Sequence, residues 1–284
     1  MIAILALVIV LIVLVVPTSS DRIGIFIPTS MLDDENTTTI TTTGSSLKYN
    51  EIARAQDKED IYAIENWFWN QHNGVILESG ALNGIEFSTS LVFEKYLNWK
   101  TIHIEASPDS FRALKNNRPN SLNIHAALCN QTRTLHFLNN KGNLAVSGIY
   151  EYMILKKPFI EMWHAEWYKA YSEGRTKVED LPTVSCVKLE SLLKIISIHH
   201  IDIWVLDVEG AELDIIKSSI NFNNIDINTI IIECENRLGD YDNGLIGYMS
   251  SQKYHCIKEK RNCFCTKNSF VPKKKPDDIK SYYD

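Results

Sequence analysis

The sequence predicts an α/β domain on a mostly parallel sheet, and three observations carry that expectation. From Glu51 onward short apolar runs alternate with amphipathic stretches, the pattern of repeated strand and helix units. Runs such as Val75 to Leu77 and Ile201 to Leu206 are apolar almost throughout, as strands covered on both faces must be. Glycines follow the first of these runs, where a strand has to turn sharply into a helix. Composition agrees: 284 residues, 45% of them hydrophobic and 23% charged, are enough for one large core with appendages. The net charge of −6 leaves no basic excess to neutralise phosphates, so nucleic acid is set aside as a partner.

The chain opens with Ile2 to Val16, an unbroken aliphatic run ended by Pro17. Residues 1–20 therefore read as a membrane-targeting segment. A single-pass signal-anchor with the bulk of the chain in the lumen of the endoplasmic reticulum or Golgi is the expectation. A cleaved signal peptide, with Thr18, Ser19 and Ser20 at the cut and the product secreted, is the alternative. Residues 21–55 read as a Ser/Thr-rich stem that cannot bury a core, and Asn36-Thr37-Thr38 is a glycosylation sequon within it. The six cysteines all follow the stem and none has metal-ligand spacing. Cys263 and Cys265 share a strand face across a turn from Cys256, so either a hairpin disulfide from Cys256 or half-buried free thiols fit.

Residues 56–270 are the expected working domain. Asp60 to Gln71 carries Ile61, Ile64, Trp67 and Phe68 on one helical stripe, and Gly74 restarts the chain into the strand Val75 to Leu77. Glu78-Ser79-Gly80-Ala81-Leu82-Asn83-Gly84 then leads into a helix through Leu97. Gly80 lets the backbone turn tightly and approach a ligand, and Gly84 lets a helix and a strand pack closely. Thr101 to Ile104 is a second buried strand ending in Glu105, 21 residues beyond Gly84. A carboxylate at about that spacing accepts hydrogen bonds from ribose hydroxyls in nucleotide-binding units, which favours an adenosine-containing ligand. A helix over Pro108 to Asn117, capped near Ser107, and a strand over Asn123 to Ala127 continue the pattern.

The strand Ile201 to Leu206 delivers Asp207 to the carboxyl edge of the sheet, the side where open α/β folds bind ligands. Asp207 is thus the first candidate for chemistry, with Glu209 beside it and Glu212 facing solvent or pairing locally. A further strand, Asn228 to Cys234, and a hairpin over Lys253 to Lys267 complete the sheet. Between the third strand and Asp207 lies an aromatic insertion, 139–183. Its segment Pro158 to Tyr171 has the spacing of a lid helix that packs its apolar face on the sheet domain; the alternative is an acceptor platform on which Trp163, Trp167 or Tyr168 stack against sugar rings, with His164 near the reacting hydroxyl. His199 and His200 read as surface residues, and residues 271–284 as a solvated polar tail.

Several linked stretches, "ILESGALNGIEFS", "IHIEASPDSFRALKNNRP", "NIHAALCN", "AVSGI" and "WVLDVEGAELDIIKSS", resemble the FkbM-type methyltransferases in that family's order. The resemblance implies a Rossmann-like class I methyltransferase fold. That means a mostly parallel seven-stranded sheet with helices on both faces and an antiparallel C-terminal hairpin. It also implies S-adenosylmethionine as cofactor, with the Gly80 and Gly84 turn against its methionine part, Glu105 on its ribose, Ala126 to Leu128, Ala127 included, near its adenine, and Glu78 and Asn83 as further cofactor-binding candidates. Asp207, Glu209 and His164 are the catalytic candidates, and no metal is expected. Asn83 and Ala106 depart from the residues family members commonly carry there, Asp and Pro. The expected acceptor is a carbohydrate hydroxyl, or another small molecule. Two alternatives stand beside it: a nicotinamide-dependent oxidoreductase, against which the G-x-x-x-G spacing speaks, and a non-catalytic anchored binding protein with the same fold.

Overall fold

The computed structural model describes residues 10–15, 22–28, 48–155, 157–234 and 241–283. In chain order its strands are β1 (Val10–Val15), β2 (Arg22–Ile27), β3 (Val75–Ser79), β4 (Lys100–Glu105), β5 (Leu122–His125), β6 (Ala127–Leu128), β7 (Arg133–Leu138), β8 (Gly148–Ile149), β9 (Thr183–Val187), β10 (His200–Leu206), β11 (Asp226–Glu233), β12 (Tyr254–Glu259) and β13 (Asn262–Lys267). The helices are α1 (Tyr49–Ile52), α2 (Glu59–Asn66), α3 (Ser90–Leu97), α4 (Pro108–Asn117), α5 (Tyr150–Met153), α6 (Lys157–Trp163), α7 (Ala165–Ser172), α8 (Leu189–Ile195), α9 (Glu212–Ser218) and α10 (Tyr241–Ser251).

The main sheet has the order β1-β2-β5-β4-β3-β10-β11-β13-β12. Its five central strands run parallel, and β13 and β12 return antiparallel as the expected hairpin. Those seven strands match the expected architecture, but β1 and β2 add an antiparallel pair outside β5, so the sheet has nine strands rather than seven. Along β10 and β11 side chains alternate between two cores: Trp204, Leu206, Ile230 and Ile232 face one layer, while Ile203, Val205 and Ile231 face the other. The first layer is covered by α8, α9 and α10 through Leu192, Ile215 and Leu245, the second by α2 and α3 through Ile64 and Phe93. Both faces are therefore buried, which is why the central strands read as continuous apolar runs.

Two expectations about the outer segments change, and the expectation of a targeting segment at residues 1–20 falls mostly outside the described residues. Among the described residues no helix is long and apolar enough to cross a membrane, and Val10–Val15, inside the apolar run, is a strand paired with β2. The remainder of that run and Asn36 lie outside the described residues. The stem ends earlier than residue 55, because Tyr49 is buried against Trp69, Tyr96 and Tyr282. The C-terminal segment is not a solvated tail: Ser281 Oγ and the Tyr282 backbone amide donate to Glu65 on α2, and Tyr283 packs edge-on against Tyr62. Packing of the half-buried Tyr282 and Tyr283 rings, with these hydrogen bonds, holds a segment that the Lys273 to Lys275 run suggested was free in solvent.

The insertion also departs from expectation. Pro158 to Tyr171 is two helices, α6 and α7, broken at His164. Beside it β6, β9, β7 and β8 form a second sheet that holds Leu135, Phe137, Val184 and Ile149 against one another. All six cysteines are paired, as Cys129–Cys186, Cys234–Cys263 and Cys256–Cys265. The hairpin disulfide is thus present and the free-thiol alternative is not.

Candidate functional site

The order of the main sheet reverses between β3 and β10. From β3 the chain moves outward through β4 and β5, and later returns to the other side of β3 as β10 and β11. The crevice beyond the carboxyl ends of those two strands is where open α/β folds hold ligands. A cavity of about 410 Å³ occupies it, lined by the ends of β3, β4, β10 and β11 and roofed by residues of the insertion. That volume lies within the usual span for small-molecule sites, roughly 300 to 1,000 Å³.

On one side, Gly80 has φ +85° and donates its N–H to the Ile104 carbonyl at 2.9 Å. A Cβ there would lie 1.7 Å from the Asp207 carbonyl oxygen, so the turn after β3 meets the end of β10 backbone to backbone. Only glycine permits both the dihedral angle and the approach. Gly84, at φ +76°, packs on α4, where a Cβ would come within 2.7 Å of Leu114 and Arg118 side-chain atoms. Asn83 Oδ1 accepts the amides of Ile85 and Glu86. Asn83 and Gly84 are absent from the cavity wall, so they shape the turn rather than touch what it holds.

Glu78 does line the cavity, but its carboxylate is spent on the start of α3. It accepts the Thr89 amide at 2.7 Å and the hydroxyls of Ser88 and Ser90 at 3.0 and 2.6 Å. Behind it Ser90 Oγ lies 2.9 Å from His103 Nε2, and His103 Nδ1 lies 2.8 Å from Asn123 Oδ1. Complete burial, reinforced by the nearby Arg118 charge, pushes His103 down to about 3, so the imidazole is neutral. Glu105 ends β4 as expected. Its two oxygens accept the backbone amides of Leu82 (2.8 Å) and Ser107 (2.6 Å), and the Ala106 amide also favours its ionised form. Burial raises this carboxyl to about 7 against the pull of those amides. Ala126, Ala127 and Leu128 complete this half of the wall.

On the other side Asp207, Glu209 and Glu233 converge at the ends of β10 and β11. Asp207 opens onto the cavity while protein encloses it elsewhere, and its carboxyl is raised well above the ordinary range by burial and by the charges of Glu209 and Glu212. Glu233 shares a hydrogen bond with it. Glu209 takes φ +56°, and Glu212, fully buried rather than facing solvent, accepts the amides of Val208 and Gly210, which ties the turn. Asp207, Glu212 and Glu233 bring carboxylate oxygens within 4.8 Å of one another, a set chemically able to hold a divalent cation. Sequence reading missed Glu233 in this role, although its place at the end of a buried strand beside Asp207's strand was the available signal.

His164 is not brought to these acids. Its Nε2 lies 2.9 Å from the Val146 carbonyl, it is absent from the cavity wall, and burial lowers its titration point despite that hydrogen bond. It ties the α6–α7 break to the loop over the cavity, as does Asn140, whose side chain donates to the Trp163 carbonyl. Of the aromatic platform only Trp163 reaches the wall, joined by Phe159. Trp167 instead stacks on Tyr171 with ring centroids 5.3 Å apart, and Tyr168 packs in the same cluster. His200 lies at the opposite end of β10 from Asp207 and is ion-paired with Asp226 and Asp202.

A switch-point cavity with a glycine turn on one strand end and acids on the neighbouring ends defines the class: an open α/β enzyme acting at its sheet edge. The family profile described as "Methyltransferase FkbM domain" matches residues 78–256, more than half of the chain. The chain belongs to the FkbM methyltransferase family and is a methyltransferase. Among solved structures, precorrin-6y C5,15-methyltransferase from Geobacter metallireducens GS-15 is similar at 10% identity and a TM-score of 0.35, over 76% of this chain and 92% of that one. No curated protein matches the sequence at a significant level.

Proposed function

We propose that this methyltransferase moves the methyl group of S-adenosylmethionine to a hydroxyl of a carbohydrate or glycan acceptor within the secretory pathway. The observation that supports the cofactor reading is the pair Gly80 and Glu105: a turn no side chain could occupy, beside a carboxylate that lines the same cavity. The donor set fits the group. Glu59, Glu78, Glu86, Glu105, Asp207, Glu209 and Glu233 line the cavity, and Arg261 is the basic side chain among the described lining residues, a balance suited to a cationic ligand. When bound, that group supplies an activated methyl on a positively charged sulfur. The residues of the chain then do three things. Glu105 accepts the ribose hydroxyls, Phe159 and Trp163 cover the cavity and exclude water, and Asp207 takes the acceptor proton. A carboxyl with a raised titration point is better matched to that proton than an ordinary Asp.

The luminal location is supported by three disulfides, which persist in oxidising compartments, and by the aliphatic run Ile2 to Val16. Among the described strands β1 is outermost and pairs with β2, so giving it up to a membrane or to cleavage would cost the domain one edge pairing. The test is calorimetric titration of the full chain with S-adenosylmethionine, its demethylated product and NAD. Binding of the first two, lost in Glu105→Ala, supports the reading; binding of NAD alone overturns it. A panel of simple methyl glycosides with radiolabelled cofactor then tests the acceptor class, and transfer to small amines but to none of the glycosides would sink the carbohydrate reading.

A further inference from the structure

We propose that Asn130 is an N-glycosylation site, carrying an oligosaccharide on its side-chain amide nitrogen. The inference rests on the luminal location proposed above and adds to it a specific modified residue. The sequence around it, Cys129-Asn130-Gln131-Thr132, is a complete Asn-x-Thr sequon, and with Asn36-Thr37-Thr38 it makes two in the chain. A sequon is short and arises by chance, so its surroundings decide what it means. Asn130, Gln131 and Thr132 are all exposed, and they form the bend that joins β6 to β7. A bend leaves the Asn side chain and the Thr hydroxyl reachable together, whereas a paired strand would turn alternate residues to opposite faces.

Two further observations favour occupancy. Cys129, the residue before the sequon, is oxidised to Cys186, so this same bend belongs to a part of the domain matured under oxidising conditions. The partner lies 57 residues further along, so during translocation Asn130 reaches the lumen well before that bond can close. The bend is also off the cavity wall, although Leu128 two residues earlier is on it, so a sugar at Asn130 projects from the rim of the small sheet without filling the site. The chemistry balances with a lipid-linked oligosaccharide diphosphate as donor. The bond from the first sugar's anomeric carbon to the diphosphate breaks, a bond from that carbon to Asn130 Nδ2 forms, and the lipid diphosphate leaves while the amide gives up one proton.

The experiment is expression of the full chain in a eukaryotic secretory cell, digestion with peptide N-glycosidase in ¹⁸O water, and peptide mass spectrometry. The expected result is conversion of Asn130 to ¹⁸O-labelled Asp. One mobility step should disappear in Asn130→Gln and in Thr132→Ala, be kept in Thr132→Ser, and survive Asn36→Gln. Thiol alkylation without reductant is run on the same material to separate the two readings. Blocked cysteines with an unmodified Asn130 overturn the proposal and leave the luminal location standing; six reactive cysteines overturn both.

Discussion

At the β3–β4 end of the cavity the carboxylates of Glu78 and Glu105 are met by backbone amides and hydroxyls, whereas at the β10–β11 end Asp207 faces Glu209, Glu212 and Glu233. The first end is pre-organised. Its donors fix each carboxylate in place before any ligand arrives, so binding there costs little reorganisation. The second end is electrostatically crowded, and crowding with burial holds Asp207 protonated further up the pH scale than an isolated Asp. On the proposed function, the first end recognises the cofactor and the second exchanges the acceptor proton. His164 stands outside this contrast, bonded to the Val146 carbonyl and off the cavity wall.

Breaking the crowded end should give the largest effect. Asp207→Asn is expected to cut methyl transfer by about 10²- to 10⁴-fold with cofactor affinity nearly intact, read by single-turnover assay and calorimetry. Retained turnover would remove Asp207 from the proton step. Joining the two ends too tightly comes next. Gly80→Ala forces a Cβ to 1.7 Å from the Asp207 carbonyl at φ +85°, and a loss of about 3 kcal/mol or more is expected in urea unfolding. An unchanged urea midpoint would mean that the backbone contact is not as close as described.

The ordered end should respond to pH. Glu105, raised to about 7, is protonated below that value and loses an acceptor for the ribose, so cofactor affinity should rise several-fold from pH 6 to pH 8. In Glu105→Gln the profile should be flat at lower affinity. The sign for stability is the reverse. Because folding raises this group from 4.5, its contribution favours the folded state at low pH and declines as pH climbs from 4.5 through about 7. A ligand profile that falls over the same interval would contradict the assignment.

The smallest effect lies at the amino edge, remote from both ends. Burial would lower His200, but hydrogen bonds to Asp226 and Asp202 outweigh it and raise its titration point above 6.5. Its stabilisation is complete below 6.5 and is lost as pH rises through the folded-state value. With the imidazole 44% exposed, solvent screening discounts the pair, so His200→Ala should cost below about 1 kcal/mol at pH 6 and nothing measurable at pH 9. Equal losses at both pH values would point to packing rather than charge.

Much of the fold was legible before any coordinates. The buried strands announced themselves because parallel strands with helices on both sides admit few polar residues, and Gly80, Glu105 and Asp207 fell at their ends because strand length is visible in the run of apolar residues. Helix boundaries were harder: the stripe through Trp67 and Phe68 predicted helix to Gln71, but α2 stops at Asn66, and those two rings pack from a turn instead. The break at His164 was invisible for a similar reason. A helical periodicity survives a one-residue interruption, and only the contact with Val146 decides where the chain bends.

Within the site, residue type and spacing identified what stands at strand ends, since β-strands deliver terminal residues to a fixed edge. They could not tell which of those side chains faces the cavity. Asn83 turned inward on its own loop, Glu78 was taken by α3, and Glu233 came forward from a strand far along the chain. Arg118 shows the same limit from inside: a charged residue just past the predicted helix, it is wholly buried on Glu94 and the Gly84 carbonyl. Residue order alone sets the layered α/β architecture, the glycine turn and the acidic strand ends, because these follow from local periodicity and chain stiffness. The three disulfide pairs, the docking of the C-terminal aromatics and the meeting of Asp207, Glu212 and Glu233 emerge in three dimensions. Those depend on distances between residues remote in sequence, which are set when the two layers close on the sheet.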